Sequence, residues 1–217
     1  MLEEIWMRQK GLIDPKKLTM PILIVGAGSI GSWTALALGK LGCSNITVMD
    51  YDLVEPQNVG SQIYKSSDVG MNKIQALKER IGLLLENDIN TIDEAWTPAY
   101  DLSNFAIVIA CVDNITTRSQ LFDQLQDKDV LYIDARMAGN ALEIYTVKGN
   151  DEEDIKAYKK TLFLEGEEIP VECSERSVVY NVFIVSGLIT DIVAKYANKQ
   201  ELPRELVMDL YNFTLFK

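Results

Sequence analysis

The stretch that decides the fold is PILIVGAGSIG, at residues 21–31. It begins with a continuous apolar run, which is typical of a strand buried on both faces of a parallel sheet. Gly26, Gly28 and Gly31 then form a G-x-G-x-x-G pattern, and the apolar residues of 32–41 recur at helical spacing. A strand, a glycine turn and a helix in this order predict an anion-binding site where the helix begins.

The rest of the chain continues the alternation of strands and helices. We expect strands at 45–50, 90–96, 105–111 and 130–135, helices at 71–85, 115–126 and 178–196, and strands with one exposed face at 141–147 and 206–216. The predicted fold class is α/β, with a Rossmann-like, doubly wound, mostly parallel sheet that antiparallel C-terminal strands extend.

We expect a single domain over residues 1–217. Residues 1–19 are interpreted as an N-terminal helix or arm. Residues 148–177 are strongly acidic and are interpreted as a flexible crossover loop rather than as part of the core.

The amino-acid composition excludes several kinds of partner and several kinds of catalytic group. Lys and Arg number 21 against 32 Asp and Glu, and the net charge is −11, so neither nucleic acid nor an anionic membrane is expected as a partner. The three cysteines lie far apart and no secretory signal is visible, which favours a reducing cytoplasm. The chain has no histidine and no C-x-x-C pair, so we expect no histidine base and no zinc site.

An acidic residue follows the second predicted strand at the position that nucleotide-binding sheets use. Asp50 comes about 20 residues after the glycine turn, where a carboxylate can accept hydrogen bonds from both ribose hydroxyls. The combination predicts nucleotide binding over a plain strand-to-helix turn. On its own it allows NAD as well as ATP.

Several further motifs occur in a fixed order around this pattern. They are Arg8-Gln9, Asp50-Tyr51-Asp52, Val54, Asn58, Gln62, Asp68-Val69-Gly70, Lys73 and Cys111-Val112-Asp113-Asn114 with Arg118. Together they resemble the ThiF/MoeB/ubiquitin-activating-enzyme superfamily, whose members adenylate a carboxylate with ATP. The resemblance covers most of residues 5–195 and is strongest over residues 20–120.

The resemblance implies a role for each matching residue. The ATP-binding residues would be Gly26, Gly28, Ser29, Ile30, Gly31, Asp50, Asp52, Asn58, Gln62, Lys73 and Asp113, and the catalytic residues Arg8, Lys73, Asp113 and Cys173. Asp50 would hold the ribose, Asn58 and Lys73 the phosphates, and Asp113 a Mg²⁺ ion at the α-phosphate. Arg8 would reach the phosphates of the neighbouring subunit in a homodimer.

The chemistry of adenylation suits this set of residues. A carboxylate is already ionised at neutral pH, so its attack on the α-phosphate needs no general base. The catalytic requirement is charge neutralisation and in-line positioning, which Lys, Arg, Asn and a metal-binding Asp can supply. The expected partner is a small ubiquitin-like or sulfur-carrier protein, or a peptide, with a free C-terminal carboxylate.

Two positions bear on whether the chain adenylates efficiently and whether it then transfers the acyl group to a cysteine. Ser61 stands where the family has an arginine before Gln62, and a serine cannot supply the charge of a guanidinium; Lys65 is a candidate replacement. Cys173 lies where some family members carry the cysteine that receives the acyl group, whereas others adenylate without one. A thiol before a helix with Arg176 nearby suits that role. Cys43 and Cys111 are interpreted as core residues.

Other interpretations stay open at this point. The chain can be an NAD-dependent oxidoreductase, a nucleotide-binding module that has lost adenylation, or a tRNA-modifying relative that activates a carboxylate on a nucleoside. Taken alone, Lys73 can be a solvated lysine on an amphipathic helix, and Asp113 can be the N-cap of the helix that follows it.

Overall fold

The computed structural model describes residues 2–85, 88–162 and 178–216. Its sheet has eight strands: β1 Ile22–Val25, β2 Ile46–Met49, β3 Asn90–Ile92, β4 Ile107–Ala110, β5 Leu131–Ala138, β6 Ala141–Lys148, β7 Glu205–Asp209 and β8 Thr214–Phe216. The described helices of four residues or more are α1 Leu2–Ile5, α2 Ser29–Leu41, α3 Lys73–Gly82, α4 Ile115–Leu125, α5 Glu152–Lys159 and α6 Val179–Ala197.

The strand order is β3-β2-β1-β4-β5-β6-β7-β8. The five strands from β3 to β5 are parallel to their neighbours, and β5 through β8 pair antiparallel. The predicted fold class is therefore confirmed. Between β1 and β4 the direction of chain progression reverses, and open parallel sheets bind ligands at the carboxyl edge of such a switch point.

Helices cover both faces of the parallel strands. One buried cluster joins α2, α3 and α6 to the sheet through residues that include Leu38, Leu77 and Ile189. The opposite cluster contains Phe122 of α4 and Tyr158 of α5. Burial on both faces accounts for the apolar runs in the sequence, because all four residues of β1, β2 and β4 are buried.

The acidic stretch after β6 differs from the expectation of a flexible loop over 148–177. Residues 152–159 form helix α5, which Asp151 caps by accepting from the N–H groups of Glu153 and Asp154. Tyr158 is 1% exposed in the core. The acidic first turn that suggested a loop is favourable at a helix N-terminus, and Tyr158 together with the buried Asp154, which accepts from the N–H of Lys148, attaches the helix to the sheet. The remainder of the predicted loop, residues 163–177, lies outside the described part.

Helix α6 is long and apolar enough, by length and composition alone, to cross a bilayer. In this fold one of its faces packs against α2, and Val185, Ile189 and Val193 are fully buried there. The face of α6 that contains these three residues therefore belongs to the protein core.

Candidate nucleotide-binding site

The glycine turn after β1 contains two glycines that the packing requires. Gly26 has φ +100°, and a Cβ at this position would lie 2.5 Å from the carbonyl oxygen of Cys111. A Cβ at Gly31 would overlap the carbonyl oxygen of Gly26. Both residues allow β1, α2 and the end of β4 to approach closely, so their first role is structural.

Gly28 is different from the other two glycines of the motif. Its φ is −74°, a value that any residue can adopt, and a Cβ there would meet no atom within 4 Å. Gly28 precedes Ser29, the first residue of α2, and the backbone N–H groups and the dipole at a helix N-terminus favour an anion. The space above Gly28 is thus open for a phosphate group to approach the backbone.

Asp50 joins the glycine turn to the loop that follows β2. Its Oδ2 accepts a hydrogen bond of 2.6 Å from the N–H of Ala27, and its Oδ1 accepts one of 2.8 Å from the N–H of Asp52. Each carboxylate oxygen retains a second lone pair. Asp50 can therefore hold the turn in place and still accept from ribose hydroxyls.

Tyr64 holds the same turn from its other side. Its hydroxyl donates to the carbonyl of Ala27 at 2.8 Å, and the residue is 3% exposed. Burial raises the pKa of Tyr64 well above its usual value, and the charges of Asp50 and Asp52 raise it further, so the hydroxyl stays a donor. Sequence reasoning missed Tyr64; its one signal is an aromatic residue in an otherwise polar stretch after β2.

Lys73 is the first residue of α3 and faces the loop after β2. Its Nζ lies 2.8 Å from Oδ2 of Asp52, and its backbone N–H donates to the carbonyl of Asp52 at 2.9 Å. The side chain of Lys73 is 9% exposed, whereas that of Asp52 is 48% exposed. The interpretation of Lys73 as a solvated lysine is therefore wrong: its ammonium group is buried beside a carboxylate that ends at the surface.

The loop between β2 and α3 supplies the next group of predicted residues. Asn58 accepts from the N–H of Glu55 at 2.8 Å and so caps the short helix Pro56–Asn58. Oε1 of Gln62 is buried and has no hydrogen-bond partner among the described residues. An acceptor left unpaired beside a candidate ligand site is a group that a ligand donor can satisfy.

Ser61 occupies the position of the family arginine. Its hydroxyl lies 3.0 Å from that of Ser29, and its carbonyl accepts from Nε1 of Trp33 at 3.0 Å. A neutral hydroxyl pair thus stands beside the start of α2. The candidate replacement, Lys65, is exposed; its described hydrogen bonds are backbone bonds to Asp68, and it has no described contact to the glycine turn.

Asp113 lies in the loop between β4 and α4. The N–H of Cys111 donates to the carbonyl of Val25 at 2.8 Å, so this loop begins beside the glycine turn. The N-cap of α4 is Asn114, which accepts from the N–H of Thr117 at 2.7 Å; the alternative that Asp113 is the cap is wrong. Asp113 is exposed, and within the described residues its carboxylate has a single long contact, 3.5 Å from Asn114 Nδ2.

The described residues contain no group of three or more Cys, Asp or Glu side chains that could hold a metal ion by themselves. Mg²⁺ in nucleotide sites commonly binds one or two carboxylates together with phosphate oxygens and water. The free carboxylate of Asp113 fits that mode of binding.

One predicted catalytic residue is not brought to this site, and another is not among the described residues. Cys173 lies outside the described residues. Arg8 is exposed on the N-terminal arm, which docks at the far end of α2, where Trp6 Nε1 donates to the Lys40 carbonyl at 2.8 Å. The 13 residues of α2 separate the arm from the glycine turn by about 20 Å, so Arg8 does not serve the site of its own chain.

Comparison with known proteins identifies the family. The model of the ThiF family matches residues 14–217. The chain belongs to the ThiF family. Similar curated proteins include the adenylyltransferase and sulfurtransferase MOCS3 of Caenorhabditis briggsae, 32% identical over 107 residues, and the tRNA threonylcarbamoyladenosine dehydratase of Escherichia coli, 28% identical over 136 residues.

These alignments cover 47% and 60% of this ThiF-family chain, but 27% and 51% of the relatives. The chain therefore matches about half or less of their length. Among solved structures, Escherichia coli MccB with ATP has a TM-score of 0.74 at 17% identity, and PaaA has 0.73 at 22%. Both matches cover 93% of this chain and 64% of the other, and they establish a shared fold.

Proposed function

We propose that this ThiF-family protein uses ATP to adenylate a carboxylate. The observation that carries the proposal is the continuous connection from the glycine turn to the buried lysine. The Ala27 N–H binds Asp50, Asp50 binds the Asp52 N–H, and Asp52 pairs with Lys73 at 2.8 Å. This connection supports the proposal, because the Asp50 carboxylate, the N-terminus of α2 and the Lys73 ammonium group then lie along one edge of the sheet, where such groups can bind a ribose and phosphates.

In this reaction an oxygen of the acceptor carboxylate forms a bond to the α-phosphorus of ATP, and the bond from that phosphorus to pyrophosphate breaks. Asp50 holds the ribose, and the backbone at Gly28 and Ser29 approaches the phosphates. Lys73 balances the charge of the departing pyrophosphate, and its burial strengthens that interaction. Mg²⁺, held by Asp113 and phosphate oxygens, would supply further charge neutralisation at the α-phosphate.

The proposed acceptor is the C-terminal carboxylate of a small ubiquitin-like or sulfur-carrier protein, or of a peptide. The similar proteins support this class, because they include the adenylyltransferase and sulfurtransferase MOCS3 and MccB solved with MccA. Acyl transfer to Cys173, a homodimer that delivers Arg8 to the neighbouring site, and a cytoplasmic location belong to the same proposal.

Exchange of radiolabelled pyrophosphate into ATP tests the proposal. The acceptor probe is a synthetic peptide ending in Gly-Gly, offered as the free acid and as the C-terminal amide. We expect the wild-type protein to catalyse exchange with the free-acid peptide and not with the amide. Lys73→Ala and Asp113→Ala should lose this exchange. Lys78→Ala is the matched control, because Lys78 lies on the same helix but pairs with Asp88 at the surface. Full exchange in both site variants would refute the assignment.

A second candidate is activation of a carboxylate on a tRNA nucleoside, which similarity to the Escherichia coli dehydratase favours. The net charge of −11 opposes it, because such a surface repels a phosphate backbone. ATP-dependent consumption of threonylcarbamoyladenosine in tRNA, with no exchange on peptides, would favour this candidate. Tight ATP binding with neither activity would instead favour a module that has lost adenylation.

A further inference from the structure

Behind the candidate site lies a buried group of charged residues that the proposed chemistry does not use. Asp134, on β5, is 0% exposed and stands level with Ala110, the last residue of β4. Two arginines approach it: Arg118 from α4 pairs with its Oδ1, and Arg136 Nε donates to its Oδ2 at 2.8 Å. The hydroxyl of Tyr158 also donates to Oδ2, at 2.8 Å. These four residues are called the Asp134 cluster.

A buried cluster of this kind is costly to assemble. Moving a carboxylate and two guanidinium groups out of water carries a desolvation penalty that their mutual attraction does not reliably exceed, and apolar residues of similar volume often serve stability as well. The hydrogen bonds that the two arginines make to groups other than Asp134 therefore indicate a role for the cluster besides stability.

The two arginines use their remaining donors on different parts of the chain. Arg118 donates through Nη2 to the carbonyl of Val112 and through Nη1 to that of Ala135, the latter at 3.2 Å. Arg136 donates to the carbonyl and the hydroxyl of Thr161, at 3.0 and 3.2 Å, just beyond the end of α5. Asp134 thus orients one arginine toward the loop after β4 and the other toward the end of α5.

The bond to Val112 bears directly on Asp113. On one side of Asp113 the carbonyl of Val112 is held by Arg118, and on the other side Asn114 is fixed as the N-cap of α4. The backbone of Asp113 is therefore restrained from both neighbours, while its carboxylate is left exposed. Reactive groups held in this way lose little freedom when a ligand binds.

We propose that Asp134 is a positioning residue for Asp113, and that it acts through Arg118 on the carbonyl of Val112. The inference rests on the proposed function in assigning Asp113 to Mg²⁺ at the nucleotide phosphates. Its consequence is specific: disturbing Arg118 weakens the contribution of Mg²⁺ to nucleotide binding, whereas disturbing Arg136 does not.

The test compares Arg118→Lys with Arg136→Lys. Each lysine keeps a positive charge for Asp134 but cannot reproduce the forked hydrogen bonds of the arginine. The affinity of the ATP analogue AMPCPP is measured by calorimetry across a Mg²⁺ titration and in EDTA. We expect Arg118→Lys to raise the Mg²⁺ concentration for half-maximal tightening by about tenfold, the usual effect of removing a group that orients a metal ligand. Arg136→Lys should stay within about twofold of the wild-type protein.

The affinity for AMPCPP in EDTA distinguishes a loss of Asp113 positioning from general damage to the nucleotide site. It should stay unchanged in Arg118→Lys, because the glycine turn and Asp50 are intact, whereas partial unfolding would weaken binding in both conditions. Asp134→Asn is expected to behave as Arg118→Lys does; if this variant does not fold, the lysine variants alone decide. A wild-type Mg²⁺ response in Arg118→Lys, or an equal loss in Arg136→Lys, would overturn the inference.

These measurements are independent of the adenylation assay. No Mg²⁺ effect in the wild-type protein would overturn the positioning inference, because Asp113 would then have no metal to hold. Absence of pyrophosphate exchange with an intact Mg²⁺ effect would count against the proposed function alone.

Discussion

The ammonium group of Lys73 lies 2.8 Å from the carboxylate of Asp52, and the two residues differ sharply in exposure, with side chains 9% and 48% exposed. An ion pair with one buried and one solvated member responds differently to the loss of each partner. Removing the buried charge leaves a carboxylate that water can solvate, whereas removing the exposed charge leaves a buried ammonium group unpaired.

Asp52→Asn should therefore destabilise the protein more than Lys73→Met does. We expect the free energy of unfolding at neutral pH to fall by about 2 kcal/mol in Asp52→Asn, and to change by about 1 kcal/mol or less in Lys73→Met. Urea unfolding followed by circular dichroism measures both. Equal losses, or a larger loss in Lys73→Met, would contradict the asymmetry of the pair.

The glycines of the turn should separate into two classes. Gly26→Ala places a Cβ 2.5 Å from the Cys111 carbonyl at a φ of +100°, so we expect a loss of about 3 kcal/mol or more, or failure to fold. Gly28→Ala meets no atom within 4 Å and should fold normally while weakening AMPCPP binding, because its methyl group would enter the space that the proposal gives to a phosphate. Thermal unfolding and calorimetry check the two effects. Wild-type affinity in Gly28→Ala would place the phosphates elsewhere.

Tyr64→Phe should loosen the glycine turn without filling or emptying the core. It removes the donor to the buried Ala27 carbonyl, at a cost of about 1 to 2 kcal/mol in unfolding free energy, and should weaken AMPCPP binding several-fold. Tyr145→Phe is the control, because its hydroxyl bonds Glu143 on β6, and its AMPCPP affinity should match the wild type. Equal affinities in the two variants would remove Tyr64 from the site.

Asp68 should make the free energy of unfolding depend on pH in the acid range. Burial would raise the pKa of Asp68, but two groups lower it, and the net shift is downward. They are the N–H of Lys65, at 3.0 Å from Oδ2, and the Arg80 guanidinium, whose Nη2 lies 2.7 Å from Oδ1. A lowered folded-state pKa means that the stabilisation is complete above the unfolded value of about 3.9 and disappears as the pH falls through the folded value.

We therefore expect Asp68→Asn to lose about 3 kcal/mol at neutral pH, and its deficit relative to the wild type to shrink below about pH 4. Unfolding in urea across the pH range measures this deficit. Asp123→Asn, on the exposed side of α4, should show little deficit at any pH. A deficit in Asp68→Asn that does not change down to low pH would show that the charge of Asp68 contributes nothing.

The parts of the fold that the sequence predicted are those whose signal is local. The apolar run before Gly26, the glycine pattern and the acidic residue at Asp50 each report the conformation of their own segment. The order of the strands was not predicted, because it depends on how these segments pair with one another. Lys73 and Asp113 were located by motif order, and the structure adds that the first is buried and the second is not the N-cap of α4.

The parts that the sequence did not predict depend on contacts between distant segments. Tyr64 meets Ala27 across 37 positions of the chain, and Asp134 meets Tyr158 across 24. Neither pair can be recognised in the sequence, because a single hydrogen bond between distant residues produces no periodic pattern of residue types. Helix α5 was missed for a related reason: its acidic first turn has the composition of a solvated loop, whereas Tyr158 and Asp154 attach the helix through contacts with distant segments.

The most direct test of the account is a crystal structure of the protein with AMPCPP and Mg²⁺. We predict the ribose hydroxyls within about 3 Å of the Asp50 carboxylate, phosphate oxygens beside the backbone of Gly28 and the ammonium group of Lys73, and the metal bound to Asp113. Nucleotide density away from the turn at residues 26–31, or phosphates that contact neither Gly28 nor Lys73, would contradict the central claim.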